Sequence, residues 1–173
     1  MPEKLPGEIS EKAARIKLLV LDVDGTLTDG GLYLGPDGQE FKRFDVHDGH
    51  GIVMLQKLHD VEVMILSGRT SAAVSARAIE LGIGTCLQGH WDKRSALARE
   101  IEARGVPENQ VGVMGDDLSD LAMMLITGVA FAPANAVAEV KARADYTTKA
   151  TGGYGAVREV CDLIIAAKAA ASS

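Results

Sequence analysis

Short apolar runs alternate along this chain with longer stretches of helical periodicity. The runs Ile16–Leu21, Val61–Leu66, Gly84–Leu87, Val111–Met114 and Val129–Phe131 read as buried strands. Helical stretches lie between them, near Gly51–His59, Ser71–Leu81, Asp92–Arg104, Leu118–Ile126 and Val137–Ala144. A last amphipathic helix is expected from about Ala156 to Lys168, with its AKAAASS end frayed. This rhythm is that of repeated βαβ units, so the fold class is α/β with a doubly wound parallel sheet. No internal repeat and no long linker divides the chain, which reads as one domain over residues 1–173.

One segment departs from the rhythm. From about residue 32 to 46 the chain alternates in strand fashion around Gly35-Pro36-Asp37-Gly38, a strong turn signal. It follows the first strand directly, before any helix. It therefore reads as a β-hairpin inserted into the winding.

Composition narrows the class. With 173 residues and 47% hydrophobic content, the chain can bury a full core without a disulfide or structural metal. A net charge of -6 leaves no basic stripe for nucleic acid. Cys86 and Cys161 sit in apolar runs and read as buried, reduced thiols. The N-terminal MPEKLPGEISEKAARIK is too polar for a signal peptide, and no apolar run approaches a span of about 20 residues. The expected location is cytoplasmic, with no membrane partner.

Ligands in open parallel sheets bind beyond the carboxyl ends of the strands. The residues there are Asp22-Val23-Asp24-Gly25-Thr26, then Ser67-Gly68-Arg69, then Gly115-Asp116-Asp117 with Asp120 one helical turn on. Lys93 opens the helix after the third strand. Asp22 and Asp24 share a face, because alternate strand residues do. Clustered carboxylates repel and call for a cation, and Mg2+ suits oxygen ligands shared with a phosphate. A carboxylate so placed can attack phosphorus and form an aspartyl-phosphate. Lys93 and the Ser67 hydroxyl can neutralise and position the phosphoryl group from the other side, while Gly25 and Gly68 admit backbone amides. Taken singly, these residues have plainer readings: an aspartate at a strand–helix junction is often a cap, and Trp91 beside Lys93 is more often packing.

At these positions the chain resembles the haloacid dehalogenase-like hydrolase superfamily. LVLDVDGTLTDG is similar to its first motif, LSGR to its second, Lys93 to its third and GDDLSD to its fourth. The resemblance implies Asp22 as nucleophile and Asp24 as the acid that protonates the leaving oxygen and then activates water. It implies Mg2+ held by Asp22, Asp116 and the Asp24 carbonyl. Thr26, Ser67, Gly68 and Lys93 would hold the phosphate, with Asp117 and Asp120 either as further metal ligands or behind the metal, two roles the sequence does not separate. An acid at Asp24 favours phosphoryl over dehalogenase chemistry. Only the hairpin separates the first two motifs, so there is no room for a large cap domain.

The segments GLYLGPDGQEFKRFDVHDGHGI, ILSGR, QGHWDK, GDDLSD and GGYGAVREVCDLI resemble the 3-deoxy-D-manno-octulosonate 8-phosphate phosphatases, a family of lipopolysaccharide sugar synthesis. That implies a small phosphorylated sugar acid as substrate, with Arg69, His47 and Asp48 near it. It also implies a homotetramer whose hairpins pair and whose C-terminal tails, here about residues 148–173, reach neighbouring sites. An unpaired hairpin edge fits such pairing. The family has arginine where this chain carries Tyr154 and His47, so a related nine-carbon keto-sugar-acid 9-phosphate is the alternative substrate. Two rivals keep similar acidic sites. A phosphosugar mutase needs its aspartyl-phosphate shielded, usually by a cap. A receiver domain carries its phospho-accepting aspartate after the third strand, where this chain has none.

Overall fold

The computed structural model describes residues 7–172. Its centre is a six-stranded sheet in the order β5-β4-β1-β6-β7-β8. The strands are β1 (Leu18–Leu21), β4 (Glu62–Leu66), β5 (Thr85–Leu87), β6 (Val111–Met114), β7 (Val129–Ala132) and β8 (Tyr146–Thr147). All five pairings are parallel, with Leu21 of β1 beside Ile65 of β4 and Met114 of β6. The doubly wound expectation holds: the order runs outward from β1 in both directions.

The helices form two layers. Helices α1 (Gly7–Ala14), α2 (Val46–Leu58), α3 (Ala72–Glu80) and α7 (Ala156–Ala171) cover one face. Helices α4 (Lys93–Arg104), α5 (Leu118–Met124) and α6 (Ala138–Arg143) cover the other. Strand periodicity sorts the core accordingly. Leu19, Leu21, Val63 and Ile65 pack under the first layer, while Leu18, Val20, Met64 and Leu66 pack under the second. Burial on both faces explains why these strands read as continuous apolar runs.

The hairpin is present, with β2 (Tyr33–Leu34) antiparallel to β3 (Glu40–Phe41). Gly35 N donates to Gln39 O at 2.8 Å and closes the expected turn. A further bridge joins Thr28 to Phe44. Val46, expected at the hairpin's end, instead opens α2. Asp45 is its N-cap and accepts from His47 N at 2.7 Å, so this helix starts well before the expected Gly51. No cap domain stands between the hairpin and β4 among the described residues.

The glycine-rich segment expected in the C-terminal tail contacts its own chain. Gly152 and Gly153 pack on the loop after β1 of the same chain. Gly152 N donates to Asn135 Oδ1 at 2.6 Å, Asn135 Nδ2 donates to Gly25 O at 2.9 Å, and Gly153 N donates to Thr26 O at 3.2 Å. The approach is so close that a β-carbon on Gly152 would meet Gly25 O at 1.9 Å. The chain then turns into α7, which stays helical to Ala171, beyond the expected end at Lys168. Ser173, the last residue of the expected fray, and the first six residues of the polar N-terminal stretch lie outside the described residues.

Candidate active site

The loops after β1, β4 and β6 meet at one edge of the sheet. Asp22 follows β1 and donates its N–H to Met114 O at 3.0 Å, which ties it to the end of β6. The chain then makes one wide helical turn, Val23–Leu27, closed by Thr28 N on Val23 O at 3.0 Å. Gly25 interrupts that turn with φ +89°. Beneath it Thr26 is fully buried, and its hydroxyl donates to Asp116 Oδ1 at 3.4 Å. Thr26, expected on the phosphate, does not line the cavity that opens at this edge, and its side chain reaches Asp116.

Lys93 is the first residue of α4, whose N-cap Asp92 accepts from Ser95 N at 3.1 Å. That placement drives the lysine side chain into the site, where it is 3% exposed. Its Nζ donates to Asp22 Oδ1 and to Asp120 Oδ1, at 2.6 Å each. Asp120 is fully buried, and its other oxygen accepts from Asp116 N at 2.9 Å and Asp117 N at 3.1 Å. Asp117 is the exposed N-cap of α5 and accepts from Leu118 N at 2.7 Å. The two acids that sequence reasoning left unseparated thus differ. Asp120 orients the loop and Lys93, while Asp117 starts a helix at the rim.

A cavity of about 180 Å3 opens here. Asp22, Asp24, Ser67, Gly68, Arg69, Lys93, Asp116 and Asp117 line it, as the sequence suggested they would meet. Trp91 and Ser119 join them. Trp91 is 74% exposed at the mouth, against Gly68, so it is not the packing residue expected. Sequence offered no signal for Ser119, which enters only because α5 begins at this edge.

The structure does not bring His47 or Asp48 to this cavity. The His47 side chain is exposed and pairs with Asp45, Nδ1 to Oδ1 at 3.3 Å. Asp48 is 1% exposed, and its Oδ1 accepts from Arg158 N at 2.7 Å at the start of α7. Burial raises its pKa to about 6, against the lowering effect of those helix amides. Its position is therefore a correction: it anchors α7.

The site carries more negative charge than its protein cations balance. Asp22, Asp116 and Asp120 offer oxygens all within 4.8 Å of one another, with the Lys93 ammonium among them. Burial first, and the Asp120 charge second, push Asp22 well above the usual carboxylate range. The same two causes raise Asp116 to about 6. Burial pulls Lys93 down, but the Asp22 and Asp120 charges outweigh it and hold the ammonium above its usual value. An all-oxygen, partly buried, net-negative cluster fits a hard divalent ion such as Mg2+.

Comparison with known proteins agrees. The sequence pattern of the haloacid dehalogenase-like hydrolases matches residues 82–160. The 3-deoxy-D-manno-octulosonate 8-phosphate phosphatase of Escherichia coli K12 is 42% identical, over 94% of this chain and 86% of its own length. The crystal structure of the Moraxella catarrhalis phosphatase of that name, in complex with magnesium ion, phosphate ion and KDO, superimposes with a TM-score of 0.91. It is 41% identical and covers 94% of this chain and 92% of its own. The Yersinia pestis enzyme superimposes with a TM-score of 0.92 at 40% identity, covering 94% and 88%. Likeness of this degree along nearly the whole of each partner is that of one family, and the chain belongs to the phosphatases among the haloacid dehalogenase-like hydrolases.

Proposed function

We propose that this chain hydrolyses 3-deoxy-D-manno-octulosonate 8-phosphate, with Asp22 as nucleophile. The observation that carries the reaction is Asp22 itself. Its carboxylate lies in the cavity, fixed by Lys93 at 2.6 Å, with Asp24 two residues on at the rim. An Asp22 oxygen attacks phosphorus, the bond to the sugar oxygen breaks, and Asp24 gives that oxygen its proton. Asp24, now a base, takes a proton from water, which attacks the aspartyl-phosphate and restores Asp22. Lys93, the Ser67 hydroxyl and the Gly68 backbone hold the phosphoryl oxygens. Asp22, Asp116 and the Asp24 carbonyl would hold Mg2+, which supplies charge neutralisation for the transferring phosphoryl group.

The substrate reading rests on the named relatives and on the shape of the site. A cavity of about 180 Å3 suits a phosphoryl group and an ion, below the roughly 300 Å3 or more of whole-ligand pockets. A sugar acid therefore extends past the rim, over Arg69 and Trp91. Arg69, 43% exposed in its side chain, is the cation at that rim for an anionic sugar. A homotetramer belongs to the same reading. Its support is the apolar side chains that the hairpin leaves exposed, Leu32, Tyr33, Leu34 and Phe41, each about half exposed or more. Sedimentation as a monomer would count against it.

The test is phosphate release with Mg2+ across a panel. It comprises 3-deoxy-D-manno-octulosonate 8-phosphate, nine-carbon keto-sugar-acid 9-phosphates and hexose phosphates. The expected result is a strong preference for the octulosonate. Flat activity across the panel would refute this substrate and leave the chemistry standing.

A further inference from the structure

Asp24 is held from the hairpin. Lys42, just past β3, has a side chain only 1% exposed, and its Nζ donates to Asp24 Oδ1. The same ammonium lies 3.1 Å from Glu40 Oε1. Arg69 closes the circuit, 2.6 Å from Glu40 Oε2 and 3.9 Å from Asp24 Oδ2. Asp24, Lys42, Glu40 and Arg69 thus form a ring of contacts that joins the hairpin to the loops after β1 and β4. Arg69 above all holds Glu40 down at about 2, so Glu40 remains an anion for Lys42 throughout the neutral range.

A lysine this buried needs a reason, because desolvating an ammonium is costly unless its partners are well placed. The hairpin does not need it: the turn and strand pairing are made by backbone groups. Substrate contact does not explain it either, since Lys42 does not line the catalytic cavity. What the contact does is restrain a carboxylate on a loop whose next residue, Gly25, is in the left-handed region.

We propose that Lys42 is a positioning residue for the hydrolysis. It holds the Asp24 carboxylate in the orientation that meets the leaving oxygen, and Glu40 in turn holds Lys42. This rests on the phosphatase reading above. Without Lys42, the remaining cation near Asp24 on the hairpin side is Arg69, on the opposite carboxylate oxygen, so the acid turns away from its work while the nucleophile stays in place.

Leaving-group dependence reads this directly. An alkyl phosphate needs a proton on its leaving oxygen, whereas p-nitrophenolate departs without one. Rapid-quench measurement of the first turnover with Mg2+, following release of the sugar acid or of p-nitrophenol ahead of aspartyl-phosphate hydrolysis, would compare wild type, Lys42→Met, Lys42→Arg and Glu40→Gln on 3-deoxy-D-manno-octulosonate 8-phosphate and on p-nitrophenyl phosphate. Lys42→Met is expected to lower the first-turnover rate on the sugar phosphate on the order of 100-fold, and that on p-nitrophenyl phosphate by no more than about threefold, while hydrolysis of the common aspartyl-phosphate, which uses Asp24 as base, slows alike for both. Lys42→Arg should restore part of the loss, and Glu40→Gln should show the same selectivity more weakly. Equal losses of the first-turnover rate on both esters, or weakened substrate binding with that rate intact, would overturn the role of Lys42. If Lys42→Met does not fold, the selectivity of Glu40→Gln decides. Wild-type enzyme that releases phosphate from neither ester would instead sink the phosphatase reading, and this proposal with it.

Discussion

Gly25 and Asp116 are so close that a β-carbon on Gly25 would stand 2.1 Å from Asp116 Oδ2. The glycine, at φ +89°, lets the first loop sit directly against the carboxylate of the fourth motif. Gly25→Ala therefore strains the backbone and displaces Asp116 at once. The expected outcome is a large loss of Mg2+ affinity and of activity at limiting Mg2+. Titration calorimetry with Mg2+ checks it, and unchanged affinity would show that Asp116 is not a ligand.

Lys93 is the buried cation between Asp22 and Asp120. Lys93→Met should cut kcat on the order of 100- to 1,000-fold, as loss of one fixed donor to a phosphoryl oxygen does. It should also lower the melting temperature in the absence of Mg2+, because two buried carboxylates lose their partner. Saturating Mg2+ should recover part of that stability but little of the rate. Phosphate release and thermal melts with and without Mg2+ separate the two effects.

The reading of the sequence succeeded where the signal was local. Buried parallel strands are continuous apolar runs, and their carboxyl ends can be located by counting. Gly35-Pro36-Asp37-Gly38 fixed the turn of a hairpin whose strands pair for only two residues each. The misses were elements with weak local patterns or contacts far apart in the chain. Helix α1 buries only Ile9 and Ala13, and β8 is a two-residue edge strand. The start of α2 was placed at Gly51 rather than Val46, because Gly49 and Gly51 are poor helix formers; in the fold they pack against Arg77 and Cys161. The resemblance placed Asp48 near the substrate, yet its partner is Arg158, in the first turn of a helix far along the chain. Lys42 was passed over for the same reason, since nothing in its neighbours announces Asp24.

Asp48 gives stability a pH dependence. Its pKa in the folded chain is about 6, above the ordinary carboxylate value, so the folded state holds this proton more tightly than the unfolded one. The contribution is fully present below the unfolded pKa and is lost as pH rises through about 6. Asp48→Asn keeps an acceptor for Arg158 N without the buried charge. It should be more stable than wild type by roughly 1–3 kcal/mol near neutrality, a difference that shrinks as pH falls from about 6 and is gone near pH about 4. Urea titrations at several pH values test this, and a pH-independent difference would contradict it.

Trp91 is the chain's one tryptophan and stands at the cavity mouth against Gly68. Its fluorescence should change when orthovanadate binds in the presence of Mg2+, and much less when Mg2+ is chelated. Chelation should abolish turnover, and Mg2+ at about 100 times its Kd should stabilise the fold by about 2.7 kcal/mol. Identical spectra with and without the ions would place binding elsewhere.

The account turns on Asp22 as the atom that takes the phosphoryl group. Rapidly quenched turnover mixtures, reduced with borohydride and digested, convert an aspartyl-phosphate to homoserine that peptide mass spectrometry locates. Homoserine at position 22, absent without substrate and absent from Asp22→Asn, is the predicted result. Phosphate release at full rate by Asp22→Asn, or homoserine at another aspartate, would contradict it.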